Sequence, residues 1–247
     1  MKKRHAIGAA LVAVVIAVGV SMVARAQQDW RTASREPVGL APDPATTTEA
    51  VLQVYGARTV GARGVFAVHT WVAVKRPRAL AYTVYEVLSW KLDADGSSIA
   101  VRARTPDARW YGTEPELYAD VRGARAELLI SRVEAAVGNY PFAREYRVWP
   151  GPNSNTFTAW ITRQVPELRV DLPPTAIGKD YLPGAAVSAA PSGHGVQLSL
   201  AGFVGLTASS VEGLEVNLLG LAFGVDPWPP ALKLPLAGRI GASAGPS

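Results

Sequence analysis

Acid–base chemistry in this chain would depend on three histidines, of which His69 is the best placed. His69 lies within the apolar segment 65–74, which is typical of a β-strand, and a polar group that faces a protein core needs a hydrogen-bond partner. His5 falls in an apolar leader, and His194 lies among serine and glycine in a loop where water can satisfy it. His69 is therefore the candidate general base, with a purely structural histidine as the alternative.

Ser154 is the candidate nucleophile. It follows a Gly-Pro turn and opens a segment with apolar residues at helical spacing, so either Asn153 or Ser154 is the N-cap of a helix. Unpaired backbone N–H groups at a helix start can stabilise a developing anion, and those of Ser154 and Asn155 would do so here. An ordinary N-cap serine needs the same placement, so a structural role stays open.

Glu86 lies among apolar neighbours on a predicted strand, where a carboxylate needs a partner. The residue types allow two partners. Glu86 could orient His69 through the second ring nitrogen, or form a salt bridge to an arginine such as Arg58 or Arg147. In the first case His69 takes the proton from Ser154 Oγ and Glu86 holds the imidazole, which is the arrangement of a hydrolase acting on an ester or amide.

A second hypothesis is that these residues line a cleft that binds a ligand without catalysing a reaction. The loop over residues 171–184 is rich in proline and glycine and is of a kind that often borders a site. Such a cleft would hold a peptide, peptidoglycan or lipid ligand. The candidate substrate-binding residues are Asn153, Asn155, Lys179, Asp180 and Tyr181.

The composition excludes several kinds of chemistry. The 247 residues contain no cysteine, which excludes disulfides, thiolate metal sites and a cysteine nucleophile. The sequence has no Walker A motif, no dinucleotide fingerprint and no H-E-x-x-H, so we expect neither a cofactor nor a metal. The segment 241–245 fits G-x-S-x-G but lacks the strand before it and the helix after it.

Residues 1–26 are predicted to be a signal peptide or an N-terminal membrane anchor. A basic start precedes the apolar run 6–23, and Ala24-Arg25-Ala26 has the form of a signal-peptidase site. Either reading places the protein on the periplasmic side of a bacterial inner membrane, with the membrane as a partner through this segment. Four of the 25 basic residues lie here, which leaves 21 against 20 acidic residues, so no nucleic-acid partner is expected.

The remaining chain is predicted to form a polar tether over residues 27–49, a single globular domain over 50–238 and a flexible tail over 239–247. The domain is predicted to be α+β, with an antiparallel sheet of about five to seven strands packed with two main helices. One helix covers residues 122–137, and the other ends at Pro166. The predicted strands are residues 51–55, 65–74, 81–90, 99–103 and 146–149.

A weak repeat relates residues 195–202 to residues 213–220 and alternates apolar with polar positions. This pattern predicts two strands that pair with each other and have one buried face. The segment 226–230 is predicted to be an irregular segment that wraps over the surface of the domain. The polar side chains expected to face away from the apolar side are Gln197, Ser199, Glu215 and Asn217.

Six motifs of this sequence together resemble one known family: residues 54–58, 66–71, 109–112, 148–157, 173–181 and 212–220. The family that they resemble is a bacterial one known as domain of unknown function 3750. The resemblance spans about Ala50 to Gly238 and implies no activity, since none is assigned to the family.

A more distant resemblance is to circularly permuted papain-like proteins of the NlpC/P60 and lecithin:retinol acyltransferase type. Those proteins place a histidine on an early strand and a cysteine at the start of a later helix, and His69 and the segment 153–157 have that order here. Ser154 stands where those families have cysteine. A serine hydroxyl is not ionised near neutral pH, so catalysis would require His69 as a true general base. Loss of the nucleophile would leave an inactive binding module.

Overall fold

A computed structural model of the protein describes residues 16–24, 26, 29–182 and 184–242. They form an α+β fold with two antiparallel sheets, so the predicted class is confirmed; a papain-like permutation is not established by this topology. Residues 16–24 of the leader are helical, and most of the predicted signal segment and the end of the predicted tail lie outside the described residues. Among the described residues, no helix is both long and apolar enough to cross a membrane.

The first sheet has the strand order β4-β3-β2-β1-β5, and all its neighbouring strands are antiparallel. The first four strands pair in chain order and form a meander. The strands are β1 (Val51–Arg58), β2 (Val68–Lys75), β3 (Thr83–Val87), β4 (Ile99–Ala103) and β5 (Glu116–Arg122).

Two long helices cover one face of this sheet. In α2 (Gly123–Gly138) the buried residues recur every three or four positions, as the sequence predicts for an amphipathic helix. In α3 (Ser154–Gln164) nearly every residue is buried. A short helix α1 (Ser89–Asp95) follows β3, and two 3₁₀ turns cover Gly61–Val65 and Pro166–Leu168.

Alternation along the strands divides the apolar residues of the first sheet between two clusters. Leu52 and Val54 of β1 belong to the cluster that contains the buried residues of α2 and α3, and we call that side the helix face. Tyr55 and Trp71 belong to a smaller cluster on the opposite side, which we call the outer face.

The segment predicted as a tether packs on the outer face over part of its length. The backbone N–H of Leu40 donates to the buried carboxylate of Asp107 at 2.7 Å, and the hydroxyl of Tyr82 donates to the carbonyl of Pro42 at 2.9 Å. Further backbone bonds join residues 34–37 to the loop 104–113. Residues 34–42 are therefore part of the folded domain, because they satisfy polar groups that the loop 104–113 buries.

The second sheet is a continuous meander in the order β12-β11-β10-β9-β8-β7-β6. Its polar residues Gln197, Ser199, Glu215 and Asn217 share one face, as predicted, but that face is the buried one. The apolar residues point outward. The strands are β6 (Val187–Ala189), β7 (Gly195–Leu200), β8 (Val204–Ser209), β9 (Gly213–Leu218), β10 (Leu221–Pro227), β11 (Pro230–Leu234) and β12 (Gly238–Gly241).

Some of the sequence predictions for the second sheet are wrong. The two copies of the repeat do not pair with each other, because β8 lies between β7 and β9 and pairs with both. The segment 226–230, predicted as a surface wrap, instead ends β10 and begins β11, and residues 239–241 of the predicted tail form most of β12. Proline residues at the hairpin ends argue against a strand assignment, so the sequence pattern did not predict these strands.

Two differences concern the first sheet. Residues 146–149 are a loop rather than a strand, and Tyr146 packs against the core from that loop. The predicted strand 81–90 ends at Val87, and α1 begins at Ser89. The edge strand β5 escaped prediction because its charged residues obscure the alternation of buried Ala119 and Val121.

Candidate functional site

His69 and Glu86 lie on the outer face of the first sheet, on the neighbouring strands β2 and β3. The imidazole Nε2 lies 2.9 Å from Glu86 Oε2, with His69 5% exposed and Glu86 fully buried. This contact with a ring nitrogen of His69 is one of the two partners that the sequence allows for Glu86. A carboxylate cannot donate, so Nε2 carries the proton of the neutral ring and Nδ1 carries the lone pair.

The buried pair consists of an ionised carboxylate and a neutral imidazole. Burial lowers the pKa of His69, and the hydrogen bond and charge of Glu86 only partly oppose this effect. Burial alone would raise the pKa of Glu86, but the hydrogen bond with His69 and the charges of nearby arginines lower it to about 2. Glu86 therefore fixes the ring orientation and tautomer of His69.

Two arginines complete the surroundings of Glu86. Arg102 donates to Glu86 Oε1, and Arg104 Nε lies 3.5 Å from the same oxygen. The guanidinium of Arg104 also lies over the ring of Trp71, 5.1 Å from its centre. Glu86 thus contacts both the histidine and arginines, although the arginines are not the Arg58 or Arg147 that the sequence suggested.

A stack of aromatic rings covers His69. The ring of Trp110 lies parallel to the imidazole at a centroid distance of 4.0 Å, and the ring of Trp90 continues the stack 6.5 Å beyond Trp110. Tyr111 meets Trp110 edge to face at 5.0 Å. Below the stack, Trp71 Nε1 donates to the carbonyl of Pro106 at 2.9 Å, which fixes the loop that carries Trp110.

A cleft of about 450 Å³ opens over this stack. Among the residues that the structure describes, its charged lining consists of four arginines and no carboxylate, and Trp90, Trp110 and Tyr111 form its aromatic walls. The arginines are Arg35, Arg102, Arg104 and Arg109.

Each of these arginines is held by an identified neighbour. Arg35 lies over the ring of Tyr111 at 4.4 Å, and Arg109 pairs at 2.7 Å with the exposed carboxylate of Glu114. Within the described part of the chain, Arg104 Nε and Nη2 have no hydrogen-bond partner although both atoms are buried. The cleft is therefore a cationic, aromatic-walled site whose floor is organised by Glu86.

Ser154 lies on the other side of the first sheet from His69. Thr70, the neighbour of His69 on β2, faces α3, where its Oγ1 lies 3.3 Å from the Ser154 carbonyl oxygen and 3.0 Å from Asn155 Oδ1. Successive strand residues point to opposite faces, so His69 points away from α3. The predicted proton transfer from Ser154 to His69 is therefore not supported by this structure, because the sheet separates the two side chains.

The start of α3 is occupied by a capping box. Asn153 is the N-cap, and its Oδ1 accepts the backbone N–H groups of Asn155 at 2.9 Å and Thr156 at 3.2 Å. The side-chain amide of Asn155 donates to the carbonyls of Val68 and Ile177. The Asn155 N–H that was expected to stabilise an oxyanion is therefore already bonded, and both asparagines are buried structural residues.

Lys179 and Asp180 do not line the cleft either. Lys179 is fully buried and pairs with Glu215 of the second sheet, and Asp180 accepts from the amide of Gln197. Tyr181 is half-buried, with its ring packed edge to face on Phe142 at 5.5 Å. These residues join the second sheet to the rest of the domain, which explains their polar character without a ligand.

The second histidine after the leader has a local role. His194 Nε2 lies 2.9 Å from the carbonyl oxygen of Pro166, so it pins a loop to the end of α3. Among residues 16–24, 26, 29–182 and 184–242, no group of three or more histidine and acidic side chains could hold a metal ion.

The arginines and aromatic residues of the cleft were missed by reasoning from the sequence. Two signals were present. Arg102 and Arg104 alternate along a strand and its extension, so both can reach one face. Arg109 adjoins Trp110 and Tyr111, which joins a cation to two rings in one loop. The contribution of Arg35 comes from a segment 67 residues upstream of Arg102, and only the folded structure brings them together.

The first sheet and both long helices are similar to a known protein family. No curated protein and no solved structure matches this chain. A family model described as "Protein of unknown function (DUF3750)" matches residues 49–181, which include His69, Glu86 and most of the cleft but not Arg35 or the second sheet. The match is narrower than the resemblance drawn from the sequence, since the segment 212–220 lies outside it. The chain belongs to the family of proteins of unknown function DUF3750.

Proposed function

We propose that this protein is a binding module that holds a small anion, a carboxylate or phosphate attached to a flat apolar group, in the cleft over Trp110. The observation that carries the proposal is the cleft lining, in which the described part of the chain places four guanidinium groups, three aromatic rings and no carboxylate. A volume of about 450 Å³ suits a small ligand or the end of a peptide.

The guanidinium groups supply the affinity and the preference for an anion. Arginine presents a planar fork of N–H donors that matches the geometry of carboxylate and phosphate. Arg102 uses one arm on Glu86, but its side chain lines the cleft and is still 46% exposed, so it can still donate to a ligand. Because Glu86 holds Arg102 in place before binding, less conformational entropy is lost when the ligand binds.

The aromatic rings supply the contact for the rest of the ligand. Trp90 is 51% exposed, and its ring continues the stack of Trp110 on His69. A flat apolar group can stack on these rings while its acidic group reaches Arg102 or Arg109. Peptide ends, the stem peptides of peptidoglycan and lipid headgroups all carry acidic groups of this kind.

The binding module is favoured over the hydrolase for a geometric reason. General-base catalysis needs the base within hydrogen-bond reach of the nucleophile, but His69 lies on the outer face of the sheet and Ser154 lies on α3, which packs on the helix face. The proposed setting is the periplasmic side of a bacterial inner membrane. Support for that setting comes from the basic start, the apolar run 6–23 and the small-x-small site that ends at Ala26.

The proposal is tested by calorimetric titration of the full chain with phenyl phosphate and phenylacetate, and with benzyl alcohol as the uncharged ligand. We expect saturable binding of at least one anion and none of benzyl alcohol. Arg102→Gln is expected to weaken binding about tenfold or more, because one charge-assisted hydrogen bond contributes about 1.5–3 kcal/mol.

Arg132→Gln is the matched control. Arg132 is 45% exposed and pairs with Glu167, much as the 46% exposed Arg102 pairs with Glu86, but it lies on α2 away from the cleft. Equal loss of affinity in both variants, or no binding of either anion to the wild type, would refute the proposal.

A further inference from the structure

The second sheet presents an apolar face to solvent. Fourteen large apolar side chains on its seven strands are each 37–69% exposed. They line up in rows across the strands, and the central row runs through Leu198, Leu206, Val216 and Phe223 on β7 to β10. On these four strands, no outward-facing residue is charged.

The outward placement of these side chains is fixed by the ion pairs on the inner face of the sheet. Glu215 pairs with Lys179 and, at 2.8 Å, with Lys233, which in turn contacts Asp171 at 2.6 Å. Burial alone would raise the pKa of Glu215, but these two lysines lower it. A shift of one residue in register would turn these charges outward and leave their partners buried and unpaired. The fold therefore holds the apolar rows outward.

The apolar face is at least as large as the largest apolar patch that a monomeric protein usually exposes. Seven strands at about 4.8 Å spacing and about six residues at 3.3 Å rise give roughly 600 Å² in projection, and the accessible area of the corrugated surface is larger. The largest patch on a typical monomer is about 300–600 Å². A standard protein interface buries about 800 Å² on each partner, and the accessible area of this face, which is larger than its projection, approaches that value.

We propose that two copies of this chain pack against each other through this face, sheet on sheet. The centre of the face is uncharged and mainly aliphatic, as in the interfaces of permanent homodimers. Rows of valine and leucine at strand spacing can interdigitate with the same rows of a second sheet at about 10 Å separation. A two-fold axis through the face pairs it with itself and leaves no open end for further growth.

A lipid bilayer is the competing occupant. Surfaces that dock on bilayers usually carry lysine or arginine for the anionic headgroups, together with tryptophan or tyrosine at the interface. The central row of this face has a single aromatic residue, Phe223, and no cation. The chemistry of the face therefore favours a second copy.

The proposal is tested by thiol cross-linking of the full chain in intact cells. The chain has no cysteine, so Leu206→Cys, Val216→Cys and Phe223→Cys each introduce a single thiol near the centre of the face. A short membrane-permeant bismaleimide is expected to give covalent dimers from at least one of these variants. Leu128→Cys, at a residue 74% exposed on α2, is the control and is expected to stay monomeric.

A second substitution separates dimer packing from chance collision. Leu206→Asp in the Val216→Cys or Phe223→Cys chain, or Val216→Asp in the Leu206→Cys chain, is expected to abolish the dimer of whichever chain cross-links, because two carboxylates would be buried without partners. Leu128→Asp in the same chain is expected to leave cross-linking unchanged. The absence of dimers at all three positions would overturn the proposal. Thiols that are uncross-linked and also shielded from a water-soluble maleimide would assign the face to the bilayer.

Discussion

Replacing Glu86 by glutamine tests whether this carboxylate organises the floor of the cleft. Glu86 is fully buried, accepts from His69 and Arg102, and faces Arg104 at 3.5 Å. Glutamine keeps the size of the side chain but removes the charge and turns an N–H group toward one of these donors. Arg104, whose Nε and Nη2 are buried, then loses the charge that compensates it, and such a loss costs several kcal/mol.

The magnitude follows from the pKa of Glu86. A fall from the ordinary value of 4.5 to about 2 corresponds to about 3 kcal/mol of stabilisation. Because the pKa is lower in the folded state, this stabilisation is fully present above pH 4.5 and is lost as the pH falls toward 2. His69 adds a loss below its ordinary pKa of 6.5, since burial disfavours its protonation in the folded state.

The assay is urea denaturation of wild type and Glu86→Gln between pH 7 and pH 3. We expect the variant to be about 3 kcal/mol less stable at pH 7, with a difference that shrinks by roughly half near pH 3.3. Glu167→Gln, at a 46% exposed ion pair, is the control and should change the free energy of unfolding by less than about 1 kcal/mol. A Glu86→Gln variant as stable as the wild type at pH 7, or a difference independent of pH, would refute the reasoning.

Three further variants address the other parts of the structure. Asn153→Ala removes the cap of α3 and is expected to lower the free energy of unfolding by about 1–2 kcal/mol in chemical denaturation. Because Ser154 lies across the sheet from His69, a fluorophosphonate probe is expected to leave wild type and Ser154→Ala equally unlabelled on a gel; a signal dependent on Ser154 would contradict this. Lys179→Met leaves Glu215 with only one cation and should cost about 3–5 kcal/mol, whereas an unchanged melting temperature would contradict the ion network.

Local signals in the sequence were sufficient for much of the first sheet. The alternation of apolar residues identified most of β1 and β4, and the three- to four-residue spacing located α2 within one residue at each end. The pairing of Glu86 with His69 was also accessible, because a buried carboxylate and a buried imidazole each need a partner.

The face of the sheet that each side chain occupies could not be predicted from the sequence. Thr70 and His69 are neighbours in sequence, and no local pattern indicates which of them faces α3. The alternation in β7 and β9 was clear, but its burial was inverted because Lys179 draws Glu215 inward. The sequence pattern alone predicts that the apolar face is buried. In the structure the polar face is buried instead, because it carries the long-range ion pair between Lys179 and Glu215.

The most direct test of the proposed cleft is to follow the indole N–H signals of the seven tryptophans by NMR during titration with an aromatic anion such as phenyl phosphate. Trp90 and Trp110 line the cleft, whereas Trp149 and Trp228 lie outside it. We predict saturable shifts of the Trp90 and Trp110 signals, with Trp149 and Trp228 unchanged. Shifts confined to Trp149 and Trp228, or no saturable shift of any indole, would contradict the assignment of this cleft as the binding site.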